Sequence, residues 1–198
     1  MLYQKLYCPV GFQELELIAA SNFKVFPLRF EWQKMFYPAL NFAYASDIAE
    51  KWNTKDSASS YVGYVKSFVL ATEYLKQFEV QNMGTSIHNE LCIPSDQLAE
   101  FNAQIIDPIM VEAVYYGVKY NVVTTNSSYF ENKQPKEQWQ YLLEIEADTQ
   151  LLIKVIEKEW FSIWVNFSYF NQLSTNSFLI SQIRFHWNKL QPKLKLFV

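Results

Sequence analysis

The sequence is poor in glycine, arginine, cysteine and histidine. Its 198 residues include four glycines and only two each of arginine, cysteine and histidine. Two cysteines can form one disulfide at most, so a disulfide framework is excluded. The most apolar stretch, "LLIKVIEKEWFSIWVNF", contains charged residues well within the roughly 20 residues needed to cross a bilayer. We therefore expect a domain that folds by burying a core and does not span a membrane.

The charge pattern also lacks a basic excess. The formal net charge is −3, and lysine and arginine are scattered along the chain rather than collected on one segment. A nucleic-acid-binding surface needs such a collection, so no nucleic-acid partner is predicted. The N-terminal residues "MLYQKLYCPVGFQ" lack the apolar run and cleavage site of a secretory signal. We expect a reducing, cytoplasmic location.

General catalytic motifs are absent as well. The sequence contains no GxGxxG, GxxxxGK, HExxH, GxSxG or paired CxxC, which argues against Rossmann dinucleotide domains, P-loop NTPases, zincins, serine hydrolases and zinc ribbons. A zinc site made from His88, Glu90 and Cys92 would draw all its ligands from one strand. Zinc sites normally gather ligands from at least two segments, so no metal is predicted.

What the chain does contain is a high apolar and aromatic content, at 50% and 18% of its residues. Residues 1–117 read as short strands alternating with short helices, which predicts an α+β domain with a small, mostly antiparallel sheet. Residues 118–134 are rich in Asn, Ser and Thr and predict a linker or loop. Residues 135–198 predict a mainly helical C-terminal region, because Lys136 to Gln191 contain no glycine or proline.

Local signals place several element ends. Asn22 is expected to close the first helix in the left-handed conformation, and Asn41 and Ser95 are expected to act as N-caps. Pro135 suits the first turn of a helix. The proline-interrupted pieces "KVFPLRF" and "KMFYPAL" predict two short extended segments at sheet edges.

One stretch of the helical region has a competing interpretation. The segment "FSIWVNFSYF" follows the three- and four-residue apolar spacing of a helix, with Ile163 and Phe167 on the stripe. It also alternates as a strand does, with Phe161, Val165 and Tyr169 joining those two residues on one face. Helix is the preferred prediction, and strand is the alternative for residues 160–185.

The segment "GTSIHNELCIPSDQLAEFN" is the most chemically varied in the chain. With a period of two, Leu91 and Ile93 fall on one face of a strand, and His88, Glu90 and Cys92 fall on the other. The second face is either the polar side of an ordinary strand or part of a site.

Three blocks carry a family resemblance over about the first 112 residues. They are "LYCPVGFQELELIAASNFKVFPLRFEWQKMFYPALNFAYASDIAEKWNTK", "GYVKSFVL" and "HNELCIPSDQLAEFNAQIIDPIMV". In their residue patterns and their order they resemble small bacterial proteins labelled ADP-ribosylation/crystallin proteins. Their order is also similar to the wider ADP-ribosyltransferase fold, including RES-type NAD-degrading toxins, in which three motifs lie on successive strands of a split sheet.

The resemblance implies specific roles in NAD binding and cleavage. It places Glu90 as the carboxylate that binds the ribose and Tyr37 as the aromatic wall on the nicotinamide side. Arg29 corresponds to a phosphate contact, and His88 is a further contact if its face lines the cleft. The first-strand position, held by Arg or His in the family, falls on Cys8. Here the chain departs from the pattern, because a thiol cannot supply the cationic contact of a guanidinium.

Two functions are therefore expected from the sequence. The first is a NAD-using enzyme, an ADP-ribosyltransferase or NAD glycohydrolase, in which Glu90 stabilises the positive charge that develops on the ribose. The second is a catalytically silent binding, immunity or regulatory protein of a toxin system, which contacts a protein partner through its aromatic C-terminal region. Cys8 favours the second function, and the position of Glu90 favours the first.

Overall fold

The computed structural model describes residues 2–29, 31–124, 127–174 and 176–196. The chain forms two compact units, Met1–Tyr120 and Asn121–Val198. The first combines strands and helices and the second is helical, which confirms the predicted α+β class. None of the described helices has the length and apolar character needed to cross a membrane.

The first unit contains six strands and four α-helices among its described residues. In chain order they are β1 (Tyr3–Val10), α1 (Phe12–Ala20), β2 (Met35–Phe36), α2 (Phe42–Lys51), β3 (Val62–Ala71), α3 (Thr72–Leu75), β4 (Glu79–Asn82), β5 (Asn89–Pro94), α4 (Leu98–Ala103) and β6 (Met110–Tyr116). The strands form two antiparallel sheets of three strands, in the orders β1-β3-β6 and β2-β5-β4. Ala39 joins the two sheets, because it makes isolated bridges to Tyr7 and to Glu90.

The two faces of the β1-β3-β6 sheet are covered differently. On one face, strand residues such as Leu6 and Phe68 are buried, and the ring of Phe68 packs 4.8 Å from that of Phe26 between centroids. On the other face, Ala45 and Ala49 of α2 join an apolar cluster. Gly63 permits this close approach, because a Cβ there would collide with the backbone carbonyl of Ala49.

The helical unit consists of four helices within the described residues. They are α5 (Pro135–Glu144), α6 (Thr149–Lys158), α7 (Trp160–Leu173) and α8 (Ser177–Leu190). Helix α7 confirms the helical prediction for residues 160–173 and excludes the strand. Residues 162–168 are all buried, including the polar Ser162, Asn166 and Ser168, so the alternation that resembled a strand does not separate a core face from a solvent face.

Three of the four predicted element ends are confirmed. Asn22, which follows α1, has the left-handed backbone conformation with φ 57°. The side chain of Asn41 accepts a hydrogen bond from the Tyr44 amide, and Pro135 is the first residue of α5. The Ser95 prediction is wrong. Ser95 begins a 3₁₀ turn, and α4 starts at Leu98 without a side-chain cap, because this turn already continues the chain into the helix.

The extended segment predicted for "KVFPLRF" is also wrong in its described part, which has no strand. The side chain of Asn102 explains why. Its side-chain Nδ2 donates a hydrogen bond to the backbone carbonyl of Phe26, and its Oδ1 accepts one from the backbone N–H of Phe26. Both bonds are 2.9 Å long. A single side chain therefore satisfies the backbone groups that a neighbouring strand would otherwise pair.

Candidate functional site

Three of the five predicted site residues line one open pocket of the first unit. Cys8 contributes from β1, Arg29 from the loop after α1, and Tyr37 from the residue after β2. The pocket has a volume of about 530 Å³, and its remaining lining includes Glu14 and Trp32. The volume lies within the roughly 300–1,000 Å³ typical of small-molecule sites.

Arg29 is held in place on two sides. Its Nη2 lies 3.0 Å from Oε1 of Glu14, and its guanidinium carbon lies 4.7 Å from the centre of the Phe36 ring. The ion pair and the ring contact fix a planar donor group at the pocket wall. This geometry suits the binding of an anion, with Glu14 as the group that the anion would compete with.

Cys8 is a nonpolar part of the wall rather than a reactive thiol. It is buried, and burial raises the pKa of its thiol to about 11, against a smaller opposing effect of Lys66. A thiol that stays protonated is a weak nucleophile. Cys8 and Cys92 are both free, so no disulfide constrains this strand.

Lys66 lies beside the pocket and was not among the predicted site residues. It pairs with Cys8 across β1 and β3, so both side chains lie on the same face of the sheet. Lys66 is fully buried, with its ammonium 5.5 Å from the centre of the Phe26 ring. Among the described residues, its Nζ has no hydrogen-bond partner. The available signal was a lysine inside the apolar strand "VGYVKSFVLA", where charges are rare.

Burial has a strong electrostatic effect on Lys66. Loss of solvation lowers the pKa of its ammonium to about 8, while Cys8 and Glu14 oppose this shift and Arg29 adds to it. Lys66 therefore interacts electrostatically with three residues that line the pocket. The region combines one paired cation, Arg29, with one buried cation that lacks a hydrogen-bonded counter-charge.

Glu90 belongs to a second cluster, formed by β5, β4 and α2. Its Oε2 accepts a hydrogen bond of 3.2 Å from the Tyr44 hydroxyl, and its Oε1 accepts one of 2.6 Å from Nε2 of Gln81. Glu90 is only 7% exposed, which excludes the alternative that it lies on the solvent-facing side of an ordinary strand. Helix α2 covers this face through the Tyr44 side chain.

His88 lies next to this cluster, just before β5. Its ring stacks on the ring of Tyr44 with 4.6 Å between centroids, and its Nε2 lies 3.9 Å from Oδ2 of Asp47. Burial and the charge of Glu90 raise the pKa of Tyr44 to about 12, so its hydroxyl remains a donor at ordinary pH. Within the described residues, no group of three or more His, Cys, Asp or Glu is placed to hold a metal ion.

The register of the strands places Glu90 and Cys8 on opposite sides. Bridged residues of neighbouring strands point to the same side, so Tyr7, Ala39 and Glu90 share the side covered by α2. Cys8 follows Tyr7 on a strand and points to the opposite side. The structure thus brings Cys8, Arg29 and Tyr37 together in the pocket, and places Glu90 and His88 in the other cluster.

The aromatic side chains of the C-terminal unit are mostly used in its own packing. Trp164, Phe167 and Phe170 are buried, whereas Phe178 and Phe185 of α8 are 63% and 56% exposed. The two exposed rings are seven residues apart and lie on the same side of the helix. The protein partner expected for this region stays a prediction.

Comparisons with protein-family models, with curated proteins and with solved structures found no match to this chain.

Proposed function

We propose that the first unit is a catalytically silent binding domain for a phosphate-bearing ligand, with NAD as the candidate ligand. The observation that carries the proposal is the pocket itself, in which Cys8, Arg29 and Tyr37 meet. The resemblance gave these residues to the phosphate and nicotinamide sides of a dinucleotide. Catalysis would also require Glu90, which lies on the opposite side of the bridged strands from Cys8 and does not belong to the pocket lining.

The chemistry of the lining supports this ligand class. A guanidinium presents parallel N–H donors that match two oxygens of a phosphate. The exposed rings of Trp32 and Tyr37 offer flat apolar surfaces, on which a base or nicotinamide ring can stack. The pocket therefore provides contacts for the phosphates and for an aromatic ring of a dinucleotide.

The surroundings of Glu90 support a structural role in this domain. Both carboxylate oxygens already accept hydrogen bonds, from Tyr44 and from Gln81. A substrate hydroxyl would have to displace one of these donors, at a cost in free energy for the group left unpaired. We assign Glu90 to the attachment of α2 and β4 to β5.

Binding is tested by titrating the full-length protein with NAD in a calorimeter and by measuring its melting temperature with and without NAD. We expect saturable binding and a higher melting temperature, since a ligand that binds only the folded state stabilises it. Arg29→Gln should weaken binding at least about tenfold. Arg184→Gln, which changes the only other arginine of the chain, is the matched control and should bind like the wild type. Equal binding by both variants would show that the ligand does not use this pocket.

Cleavage of NAD is the second candidate function. The observation in its favour is the pair of bridges through Ala39, which leave the strand of Glu90 only two strand spacings from β1. Release of nicotinamide by the wild type, lost in Glu90→Gln and kept in Glu79→Gln, would establish it and overturn the silent domain. Glu79 is an exposed carboxylate on the neighbouring strand. The silent domain predicts no release by any of the three proteins.

A further inference from the structure

We infer that Lys66 is a charge-compensating residue behind the wall of the pocket, and that its buried charge is offset by a phosphate or pyrophosphate group of the bound molecule. This inference rests on the proposed ligand pocket and adds to it the residue that selects the ligand's charge. The evidence is the position of Lys66, the charges around it and the chemistry of the groups that line the pocket.

The position of Lys66 follows from the strand register. Lys66 and Cys8 are cross-strand partners, and Cys8 forms part of the pocket wall. The ammonium of Lys66 approaches the ring of Phe26, which in turn lies 5.0 Å from the ring of Phe36. Phe36 also lines the pocket. Lys66 is thus placed behind the wall that separates the sheet from the pocket.

The surrounding charges leave Lys66 uncompensated. The groups that interact with it are Cys8 of β1, Glu14 of α1 and Arg29 of the following loop. Glu14 is already paired with Arg29, across 3.0 Å. Cys8 supplies no negative charge, because burial raises the pKa of its thiol to about 11. The cluster therefore carries a net positive charge whenever Lys66 is protonated.

A buried cation without a counter-charge is costly, and such groups are normally paired or lose their proton. An anion in the pocket would supply the missing charge from the open side. A dianion suits this cluster better than a carboxylate, because its second charge offsets Lys66 in addition to Arg29. Lys34, which also lines the pocket, adds a third cation near the ligand.

The same geometry couples binding to proton uptake. In the free protein, burial lowers the pKa of Lys66 to about 8, so part of the population is neutral at slightly alkaline pH. A bound anion favours the charged form and raises this pKa again. Binding should therefore take up protons near pH 8 and weaken as the pH rises above it.

The experiment uses inorganic pyrophosphate as the probe and the full-length protein. Calorimetric titrations of the wild type at pH 8, in two buffers that differ in ionisation enthalpy, should reveal net proton uptake. Affinity should fall by about tenfold between pH 7 and pH 9, beyond any change expected from the probe's own titration. Acetate at the same concentrations should bind at least about tenfold more weakly, since it carries a single charge.

Lys66→Met keeps the length of the side chain and removes its charge. We expect it to lower pyrophosphate affinity by at least about thirtyfold, as for loss of one partner of a buried charge pair. Lys76→Met is the control, because Lys76 is an exposed lysine that pairs with Glu73. If Lys66→Met fails to fold, proton uptake by the wild type decides the question.

The outcomes separate the two proposals. Pyrophosphate binding that is lost in Arg29→Gln, unchanged in Lys66→Met and free of proton uptake would overturn the role of Lys66 and keep the pocket. A wild type that binds neither pyrophosphate nor NAD would overturn the ligand pocket, and the role of Lys66 with it. Acetate binding as tight as pyrophosphate would overturn the assignment of a phosphate ligand.

Discussion

The hydroxyl of Tyr44 in α2 donates a hydrogen bond to Oε2 of Glu90 in β5, across 3.2 Å. This bond connects a helix that covers the β1-β3-β6 sheet to a strand of the other sheet. Since Glu90 is buried, the bond also satisfies a carboxylate that solvent does not reach. It is therefore a structural connection at Glu90, the residue to which the sequence resemblance assigned a catalytic role.

Tyr44→Phe should destabilise the first unit, because one oxygen of Glu90 then loses its donor. We expect a loss of about 1–3 kcal/mol in the free energy of unfolding, measured by urea denaturation. Tyr37→Phe is the control: Tyr37 is 44% exposed, so its variant should stay close to the wild type. Equal stability of all three proteins would show that the bond contributes nothing.

Leu91→Asp should prevent stable folding of the same unit. Leu91 is 3% exposed on β5, and an unpaired carboxylate at a buried apolar site costs several kcal/mol, roughly 3 or more. Cys92→Ser changes the next residue, which is partly exposed, and should be tolerated. Circular dichroism and thermal melting distinguish the two variants. A folded Leu91→Asp protein beside an unfolded Cys92→Ser protein would contradict the observed orientation of the strand.

Lys66 should make stability depend on pH in the alkaline range. Its pKa falls from an ordinary value of 10.5 to about 8 in the folded state, so between these values the unfolded chain binds more protons. The contribution of Lys66 to the free energy of unfolding therefore rises with pH from about 8 to 10.5 and is most unfavourable below 8.

Lys66→Met tests this dependence in the absence of ligand. At pH 7 the variant should be more stable than the wild type by roughly 3 kcal/mol, the value that corresponds to the pKa difference. This difference in unfolding free energy should become smaller as the pH approaches 10.5, which denaturant unfolding at a series of pH values measures. A stability difference that does not change with pH would mean that the folded protein accommodates the charged form of Lys66 without cost. Lys76→Met should have the same unfolding free energy as the wild type at each pH.

Glu159→Gln should destabilise the helical unit. The buried carboxylate of Glu159 accepts hydrogen bonds from the Ser127 hydroxyl and from the amides of Ser128 and Tyr129, all within 2.7 Å. Loss of the charge weakens these bonds, so we expect a decrease of about 2–4 kcal/mol in unfolding free energy. Glu157→Gln changes an exposed neighbour and should have little effect. Denaturant unfolding followed by tryptophan fluorescence measures both variants.

Much of the local structure could be predicted because its causes lie close together in the chain. Asn41 caps α2 through the amide three residues later, and Pro135 opens α5 without any distant partner. The prediction of an extended "KVFPLRF" segment was wrong because the cause of its structure lies far away in the chain. Its backbone groups at Phe26 are paired by Asn102, which is 76 residues away, and no local pattern reports such a partner.

The candidate site shows the same division. Alternation on β5 correctly placed Leu91 toward the core, but it did not show that α2 covers the other face and buries Glu90. The resemblance grouped Cys8, Arg29 and Tyr37 with Glu90. The bridges through Ala39 place Glu90 and Cys8 on opposite sides of the strands, because bridged residues share a side and Cys8 is offset by one residue.

The sequence by itself determined the α+β class, the helical C-terminal region and the helix ends at Asn22, Asn41 and Pro135. These depend on composition, on apolar periodicity and on contacts within a few residues. Only the tertiary structure decided that Lys66 is buried beside Cys8 without a hydrogen-bonded partner among the described residues. The physical reason is that burial and charge compensation are set by the segments that pack around a residue, and these come from distant parts of the chain.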